Sequence, residues 1–271
     1  MRQAGSEEET VLDRIVRAVS ARLVEEKKVT PLDILMRGAE GLAKPPSLAG
    51  ALRERRDAGR CGVIAELKRG SPSRGLIREK FPVEELAVEL EAHGASALSV
   101  LTEPDFFLGS PDYLLRAVKR VAIPVLRKDF IVDEYQLYQA RSWGASAVLL
   151  IAAALSPARF AELHRQAKAL GLDVLAETHN EEELAVVLDG GAEIIGVNSR
   201  NLKTLEVDLS VAEQMMSKLP NKLLRVAESG VKSTADMRRL REAGADAFLV
   251  GEALMREAHP GLALQKLMEE L

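Results

Sequence analysis

Short apolar runs alternate with amphipathic helical patterns through most of the chain. Eight runs of four or five mostly apolar residues are separated by helical stretches, beginning at residue 63. Continuous apolar runs indicate strands buried on both faces, and their alternation with helices is typical of a parallel sheet. The predicted strands are Val63–Leu67, Ala97–Leu101, Pro124–Arg127, Ala147–Ile151, Asp173–Ala176, Ile194–Val197, Leu224–Ala227 and Ala247–Val250. The predicted helices are Val83–His93, Pro111–Arg120, Glu134–Trp143, Pro157–Leu170, Glu181–Asp189, Leu209–Leu219, Thr234–Ala243 and a last one from Leu254 to the end.

A glycine recurs just before every second predicted strand. Gly94, Gly144, Gly191 and Gly244 lie about fifty residues apart, which is the length of two strand–helix units. We expect each to end a helix in the left-handed conformation, which glycine adopts at little cost. This regular spacing favours a closed (βα)8 barrel, or TIM barrel, over an open doubly wound sheet. No Gly-x-Gly-x-x-Gly follows the first strand, which further disfavours a dinucleotide-binding fold.

About sixty residues precede the first predicted strand, and they read as helices. An amphipathic helix is predicted over Glu7–Lys27, followed by a short helix through Met36 with Thr30 as its cap and Pro31 at its first position. One or two further turns are predicted over Leu52–Ala58. No flexible linker follows, so we predict one domain over residues 1–271, with a helical extension (residues 1–60) packed on the barrel. We expect the extension to cover apolar surface, and a lid over a site is its alternative role.

Composition and charge exclude several classes of protein. The chain has 271 residues, of which 47% are hydrophobic, and a net charge of −4 without any Lys/Arg block, so we predict no nucleic-acid partner. No stretch approaches the roughly 20 apolar residues of a membrane span. Cys61 is the single cysteine, which excludes an internal disulfide and fits a reducing compartment. We therefore expect a cytoplasmic monomer that acts on a small molecule. The four histidines show no ligand spacing, so no metal site is predicted.

Polar and charged residues follow the carboxyl ends of most predicted strands. These residues are Glu66 and Lys68, Lys128, Glu177, Asn198 and Arg200, Glu228 and Ser229, and Gly251 and Glu252. In a barrel these ends form one rim, which is where barrel enzymes have their active sites. An unpaired buried charge costs several kcal/mol, so this convergence favours a working site over strand ends that fray into solvent. His179, two residues after Glu177, is interpreted as a loop histidine or as a support for the site.

The loops after the seventh and eighth strands have the composition of a phosphate site. Ser229-Gly230 and Gly251-Glu252 offer backbone amides there, and barrels often bind phosphate with this pair of loops. Ser71, after the first strand, adds a hydroxyl donor. The alternative is that these glycines only form turns. Phe107 and Phe130 follow the second and third strands, and we expect them to line a pocket for an aromatic substrate, although loop packing explains them almost as well.

Four motifs resemble those of the indole-3-glycerol phosphate synthase family. They are Ala65–Ser73, Pro124–Phe130, Ile195–Leu202 and Ala227–Gly230, and the resemblance extends over essentially the whole chain, including the N-terminal helices. It implies a carboxy-lyase of tryptophan biosynthesis that closes the indole ring of a carboxyphenylamino-deoxyribulose phosphate, with loss of carbon dioxide and water. The first two motifs are specific to this family, whereas the glycines after the last strands are shared with other phosphate-binding barrels.

The resemblance also implies roles for individual residues. Lys128 would be the general acid and Glu177 a general base or proton shuttle. Lys68, oriented by Glu66, would bind charged groups of the substrate and assist dehydration. The remaining implied site residues are Asn198, Arg200, Glu228 and Ser229 around the substrate, and Ser71, Gly230, Gly251 and Glu252 around the phosphate. Glu252 departs from the Ser or Thr of many members, so only its amide is assigned to the phosphate and its carboxylate is expected to turn away.

The proposed chemistry needs two lysines and two glutamates but no cofactor. A lysine ammonium supplies a proton and stabilises charge, and the imine-like intermediate is itself the electron sink for decarboxylation. A Schiff-base aldolase would also use a lysine at a strand end, as a nucleophile. A sugar-phosphate isomerase would share the phosphate loops without needing both lysines. A barrel that only binds phosphate ligands is the non-enzymatic alternative.

Overall fold

Eight parallel strands close into a barrel. The computed structural model describes residues 9–201 and 204–269. The barrel strands are Gly62–Leu67, Ala97–Leu101, Val125–Lys128, Ala147–Ile151, Asp173–Thr178, Ile194–Asn198, Leu224–Glu228 and Ala247–Val250. Each strand pairs in parallel with its neighbour along the chain, and the eighth closes on the first between Gly62–Ala247 and Ala65–Val250. The predicted (βα)8 fold with a helical extension is confirmed.

Helices alternate with the strands as predicted. They are Val83–Ala92, Pro104–Phe107, Pro111–Val118, Glu134–Ser142, Pro157–Ala169, Glu181–Asp189, Leu209–Met216, Thr234–Glu242, Glu252–Met255 and Pro260–Met268, with a 3-10 turn at Ala152–Ala154. The single last helix predicted from Leu254 is wrong. Pro260 lacks the amide hydrogen of a helix interior and starts a separate helix. A two-strand hairpin, Gly70–Ser71 with Gly75–Leu76, was also not predicted. No helix among the described residues combines the length and the hydrophobicity needed to cross a bilayer.

Four of the strands extend one or two residues beyond their apolar runs. Lys128 pairs with Leu101, Glu177 with Ile151, and Asn198 with Glu228. The backbone ladder continues because its hydrogen bonds do not depend on the side chain. Polar and charged residues predicted to follow the strands, such as Lys128, Glu177 and Asn198, therefore lie within the strands.

The barrel interior and the space around it form separate apolar layers. Inside the barrel, side chains such as Ile64, Leu126 and Leu175 pack together, whereas Val63, Val148 and Phe248 face the surrounding helices. This division follows from the alternation of side chains along each strand. The predicted left-handed glycines are confirmed, since Gly94, Gly144, Gly191 and Gly244 all have φ between 82° and 109°.

The three helices of the N-terminal extension are Val11–Val29, Leu32–Ala39 and Leu48–Asp57. Their starts differ from the prediction. Thr10 caps the first helix in a box with Asp13, whereas Glu7 and Glu8 lie outside the described residues. Thr30 ends the first helix, and Pro31 precedes the second. The third begins four residues earlier than predicted because the Ser47 hydroxyl accepts a hydrogen bond from the Gly50 amide.

The extension contacts both ends of the barrel. At the amino-terminal end, Leu48 and Leu52 pack against the barrel interior, and Ser47 Oγ donates to Asp173 Oδ2 over 2.8 Å. At the carboxyl end, the first helix packs through Ile15 and its apolar neighbours against Phe107. The third helix of the extension thus covers the amino-terminal end of the barrel, and the first helix covers part of the carboxyl end.

Candidate active site

A cavity of about 1070 Å³ lies at the carboxyl end of the barrel. All fourteen residues selected from the sequence line it: Glu66, Lys68, Ser71, Phe107, Lys128, Phe130, Glu177, Asn198, Arg200, Glu228, Ser229, Gly230, Gly251 and Glu252. The N-terminal helix adds Val11, Leu12 and Ile15 to the wall. The structure therefore brings residues from seven strands or the loops that follow them to one place.

Lys128 lies between two buried carboxyl groups. Its Nζ is 3.3 Å from Glu177 Oε2 and 3.7 Å from Glu228 Oε2. Burial by itself would lower the pKa of Lys128, but the charges of Glu177, Glu228 and Glu66 outweigh burial and raise that pKa above its usual range. Lys128 is therefore an ammonium group at neutral pH, able to donate a hydrogen bond or a proton.

The neighbours of Lys128 in sequence hold its strand end in place. Arg127 and Asp129 form a buried ion pair over 2.9 Å. Arg127 also donates to Thr102 Oγ1 over 3.2 Å and stacks over the Trp143 ring at 4.4 Å. These contacts restrict the backbone from which Lys128 projects.

Glu177 is held as a carboxylate. Its Oε1 accepts a hydrogen bond from Asn198 Nδ2 over 3.1 Å and lies 3.3 Å from His179 Nε2. Burial would raise the pKa of Glu177, but Lys128 foremost, with His179 and Asn198, holds that pKa well below its usual range. The backbone amide of Arg200 donates to Asn198 Oδ1 over 3.0 Å, which fixes the orientation of the amide that supports Glu177.

The pKa of Glu228 is shifted in the opposite direction. Burial, together with repulsion from Glu177, raises the pKa of Glu228 to about 8, although Lys128 opposes the shift. Its Oε1 is buried without a hydrogen-bond partner among the described residues. Two neighbouring carboxyl groups with separated pKa values provide an acid and a base in one site.

Glu228 fits because the facing residue on the sixth strand is glycine. A Cβ added to Gly196 would lie 2.0 Å from Glu228 Oε1. Gly251 likewise leaves room for Glu66, since a Cβ added to Gly251 would lie 2.5 Å from Glu66 Oε1. Sequence reasoning selected Gly251 for its amide and did not select Gly196, because its steric role depends on a neighbouring strand.

Gly196→Ala is expected to lower kcat about tenfold, because the added methyl group displaces the Glu228 carboxyl from Lys128. The displaced atoms end a flexible side chain, so the melting temperature should change by only a few degrees. Steady-state kinetics and thermal unfolding measure the two effects. Gly38→Ala is the matched control, since a Cβ there meets nothing within 4 Å. Equal kcat values for the two variants would contradict the steric role.

Glu66 and Lys68 form a second pair. Lys68 Nζ lies 2.6 Å from Glu66 Oε1, and Ser99 Oγ donates to Glu66 Oε2 over 3.4 Å. Burial would raise the pKa of Glu66, but the charges of Lys68 and Lys128 hold it below its usual range. The site thus brings two lysines and three buried carboxyl groups together in one cavity.

Beyond Lys68 the wall is formed by backbone turns and arginines. Ser229 and Gly230 both have left-handed backbone conformations, with φ of 65° and 85°. The carboxylate of Glu252 pairs with Arg74 over 3.1 Å and with Arg256 over 3.0 Å, so its charge is offset by two cations. The Arg200 guanidinium donates to the carbonyl of Leu205 over 2.9 Å.

The opposite wall is apolar. The rings of Phe107 and Phe130 lie 5.8 Å apart, tilted against each other. Both pack in the cluster that contains Ile15 of the N-terminal helix. The sequence pointed to the two phenylalanines and left a lid over a site as the alternative role of the extension, but it did not indicate which helix would contact them. Within residues 9–201 and 204–269, no three His, Cys, Asp or Glu side chains group in the way that a metal ion requires.

The fold and the site define a (βα)8-barrel enzyme that works by acid–base chemistry on a small molecule. A family model described as indole-3-glycerol phosphate synthase matches residues 12–267. An indole-3-glycerol phosphate synthase from Polaromonas sp. (strain JS666 / ATCC BAA-500) is 44% identical over 257 residues, covering 95% of this chain and 97% of that protein. An indole-3-glycerol phosphate synthase from Laribacter hongkongensis (strain HLHK9) is 44% identical over 258 residues, covering 95% of this chain and 98% of that protein.

The chain belongs to the indole-3-glycerol phosphate synthase family, the carboxy-lyases of tryptophan biosynthesis. The resemblance seen in the sequence motifs is thereby confirmed. Among solved structures, tryptophan synthase subunit alpha from Legionella pneumophila aligns with a TM-score of 0.60 at 15% identity, covering 82% of this chain and 96% of that one. A 3-hexulose-6-phosphate synthase aligns with a TM-score of 0.61 at 16% identity, covering 78% and 99%. At such identities the likeness concerns the fold alone.

Proposed function

We propose that this cavity converts 1-(2-carboxyphenylamino)-1-deoxy-D-ribulose 5-phosphate to indole-3-glycerol phosphate, with Lys128 as the central acid. The observation that carries the proposal is the position of Lys128 Nζ, 3.3 Å from Glu177 Oε2 and 3.7 Å from Glu228 Oε2. An ammonium group held in this way stabilises negative charge that develops on a substrate oxygen.

Ring closure begins at the substrate ketone. Lys128 donates to the ketone oxygen while the aromatic carbon that carries the carboxylate attacks the carbonyl carbon. A positioned donor contributes a few kcal/mol to such a step. The new carbon–carbon bond leaves an iminium in the ring, and loss of carbon dioxide returns an electron pair to it. The substrate is therefore its own electron sink, and these steps need neither a cofactor nor a metal.

Dehydration completes the indole. The hydroxyl group formed from the ketone must receive a proton, and the adjacent ring carbon must lose one. Lys68, paired with Glu66 over 2.6 Å, delivers the first proton, and Glu177 accepts the second. Asn198 holds the Glu177 carboxylate, and Glu228 and Ser229 position the substrate hydroxyl groups.

Binding uses the two contrasting walls of the cavity. Phe107 and Phe130 contact the aromatic ring, and Arg200 orients its carboxylate. The phosphate binds Ser71 and the amides of Gly230, Gly251 and Glu252, where glycine allows close backbone approach. Arg74 and Arg256 neutralise the Glu252 side chain, which reduces its repulsion of the phosphate.

We further propose that the extension and the barrel form one domain, and that the chain acts as a monomer in the cytoplasm. The contacts of the extension at both barrel ends support the single domain. Sedimentation equilibrium tests the monomer, and a single cooperative unfolding transition tests the single domain.

The reaction is tested by incubating the chain with the carboxyphenylamino sugar phosphate and following indole fluorescence. Product identity is then checked by mass spectrometry. Borohydride added during turnover separates the aldolase alternative, because only a Schiff base gives a stable covalent adduct. Fluorescent product without an adduct supports the proposal. A trapped lysine adduct, or no indole product, would refute it.

Gly230→Val is expected to raise KM about tenfold with a smaller change in kcat, because it disturbs the phosphate loop and not the reacting end. An added Cβ would lie 2.6 Å from Val207 and 2.7 Å from Leu209, at a φ of 85°. Gly191→Val is the matched control, since its φ is 82° but a Cβ there meets nothing within 4 Å. Steady-state kinetics decide the outcome, and equal KM values in the two variants would count against the loop.

A further inference from the structure

The side chain of His179 joins Glu177 to Glu183 behind the wall of the cavity. His179 Nε2 lies 3.3 Å from Glu177 Oε1, and His179 Nδ1 lies 3.0 Å from Glu183 Oε2. Only 10% of the His179 side chain is exposed. The three groups form a row of carboxylate, imidazole and carboxylate, which ends at the Glu177 oxygen not facing Lys128.

Glu183 is fixed at the start of the helix that follows the fifth strand. Its Oε2 accepts a hydrogen bond from the His179 backbone amide, and its Oε1 accepts one from Asn180 Nδ2, both over 2.8 Å. Asn180 also caps this helix through the Glu183 amide. Glu183 is therefore a rigid anchor that orients the His179 ring, and through it reaches Glu177.

Two carboxylates face the ring, Glu177 from the strand and Glu183 from the helix, and Lys128 lies beyond Glu177. Burial would lower the pKa of His179, but the two carboxylates outweigh it and raise the pKa to about 10. Nε2 is buried and has no hydrogen-bond partner in the part of the chain that the structure describes, so its contact with Glu177 is one of charge. Asn198 supplies the hydrogen bond to the same oxygen.

We propose that His179 is a positioning residue, held between Glu177 and Glu183, that fixes the orientation and negative charge of Glu177 without contacting the substrate. The inference rests on the proposed function, because positioning matters only if Glu177 moves a proton. Asn198 and His179 hold one carboxylate oxygen from two directions, and the other oxygen remains turned towards Lys128. Glu177 is then a base whose second oxygen has a fixed orientation towards Lys128.

The first test compares His179→Phe with His179→Gln. His179→Phe keeps a planar ring but removes the charge, so kcat should fall about tenfold while KM changes less than about twofold. The loss should be larger at about pH 5.5 than at about pH 7.5, because the pKa of Glu177 rises when the cation is removed. His179→Gln restores a donor and should recover part of kcat at the higher pH. His259→Gln, at an exposed histidine, is the matched control.

A merely structural role would lower the melting temperature of both variants and leave kcat per folded molecule at the wild-type value. That result would overturn the inference. So would a fall in kcat that is equal at the two pH values, since a change in the ionisation of Glu177 must depend on pH.

The second test uses the unmodified chain and needs no turnover. Imidazole nitrogen NMR should find His179 doubly protonated at about pH 8, where an ordinary histidine is neutral. Glu183→Gln and Glu177→Gln should each move its titration to lower pH. A neutral His179 at about pH 8, in a chain that makes the indole product, refutes this inference alone. Absence of the product from the unmodified chain refutes the proposed function instead.

Discussion

Replacing Lys128 with methionine is expected to lower kcat by about a hundredfold or more while KM changes little. Methionine keeps most of the side-chain volume but removes the ammonium group that donates to the ketone oxygen. Loss of a positioned acid has effects of this size. The phosphate loops lie on other strands, so the affinity for the substrate phosphate should be retained. Indole fluorescence gives kcat, and competition with inorganic phosphate gives the affinity of the phosphate site.

The Lys128→Met experiment needs a control for the loss of a cation. Lys222→Met removes an exposed lysine near the amino-terminal end of the barrel and should leave kcat unchanged. The Lys128 variant also leaves Glu177 without its strongest counter-charge, so the pKa of Glu177 should rise and the remaining activity should fall at acidic pH. Turnover within a few-fold of wild type would exclude Lys128 as the acid.

Glu177→Gln is the second variant with a large expected effect, again about a hundredfold in kcat. Glutamine retains the shape and can still contact Asn198, but it cannot accept the ring proton. Because the charge of Glu177 helps to raise the pKa of Glu228, removing it should lower that pKa from about 8. Glu228 is protonated below its pKa, so the alkaline limb of the pH–rate profile should move to lower pH.

Glu182→Gln is the matched control for Glu177→Gln. Glu182 lies on the helix after the fifth strand, where its side chain is exposed. The pH dependence of kcat between about pH 5 and pH 9 separates the two variants. If Glu177→Gln kept the wild-type profile, Glu177 would have no part in proton transfer, whatever the fall in rate.

The sequence was most informative where one principle determined the pattern. The apolar runs located all eight barrel strands, since burial on both faces favours apolar side chains along most of each strand. Lys128 and Glu177 were placed just after their strands because a charge usually ends an apolar run. In the structure both residues still pair with the neighbouring strand, since the backbone hydrogen bonds do not depend on the charge of the side chain. Their convergence could be predicted because closure brings all the carboxyl ends together.

Features that depend on side chains from distant segments could not be predicted. Gly196 sits in an ordinary apolar run, and only the neighbouring strand reveals why a methyl group is excluded there. His179 was ambiguous for a different reason, because its contact with Glu183, only four residues further on, depends on where the helix after the fifth strand begins. The apolar residues of the first helix were assigned to the extension, but its position over Phe107 depends on long-range packing.

Gly196 and Gly251 have a consequence for anyone who tries to transplant this chemistry. The carboxyl groups of Glu228 and Glu66 occupy space that any other amino acid at those two positions would fill. A recipient scaffold that received only the lysines and acids would therefore assemble the right functional groups in the wrong places. The two glycines must therefore be transferred together with the reactive side chains. A comparison of ionisable residues alone would miss them.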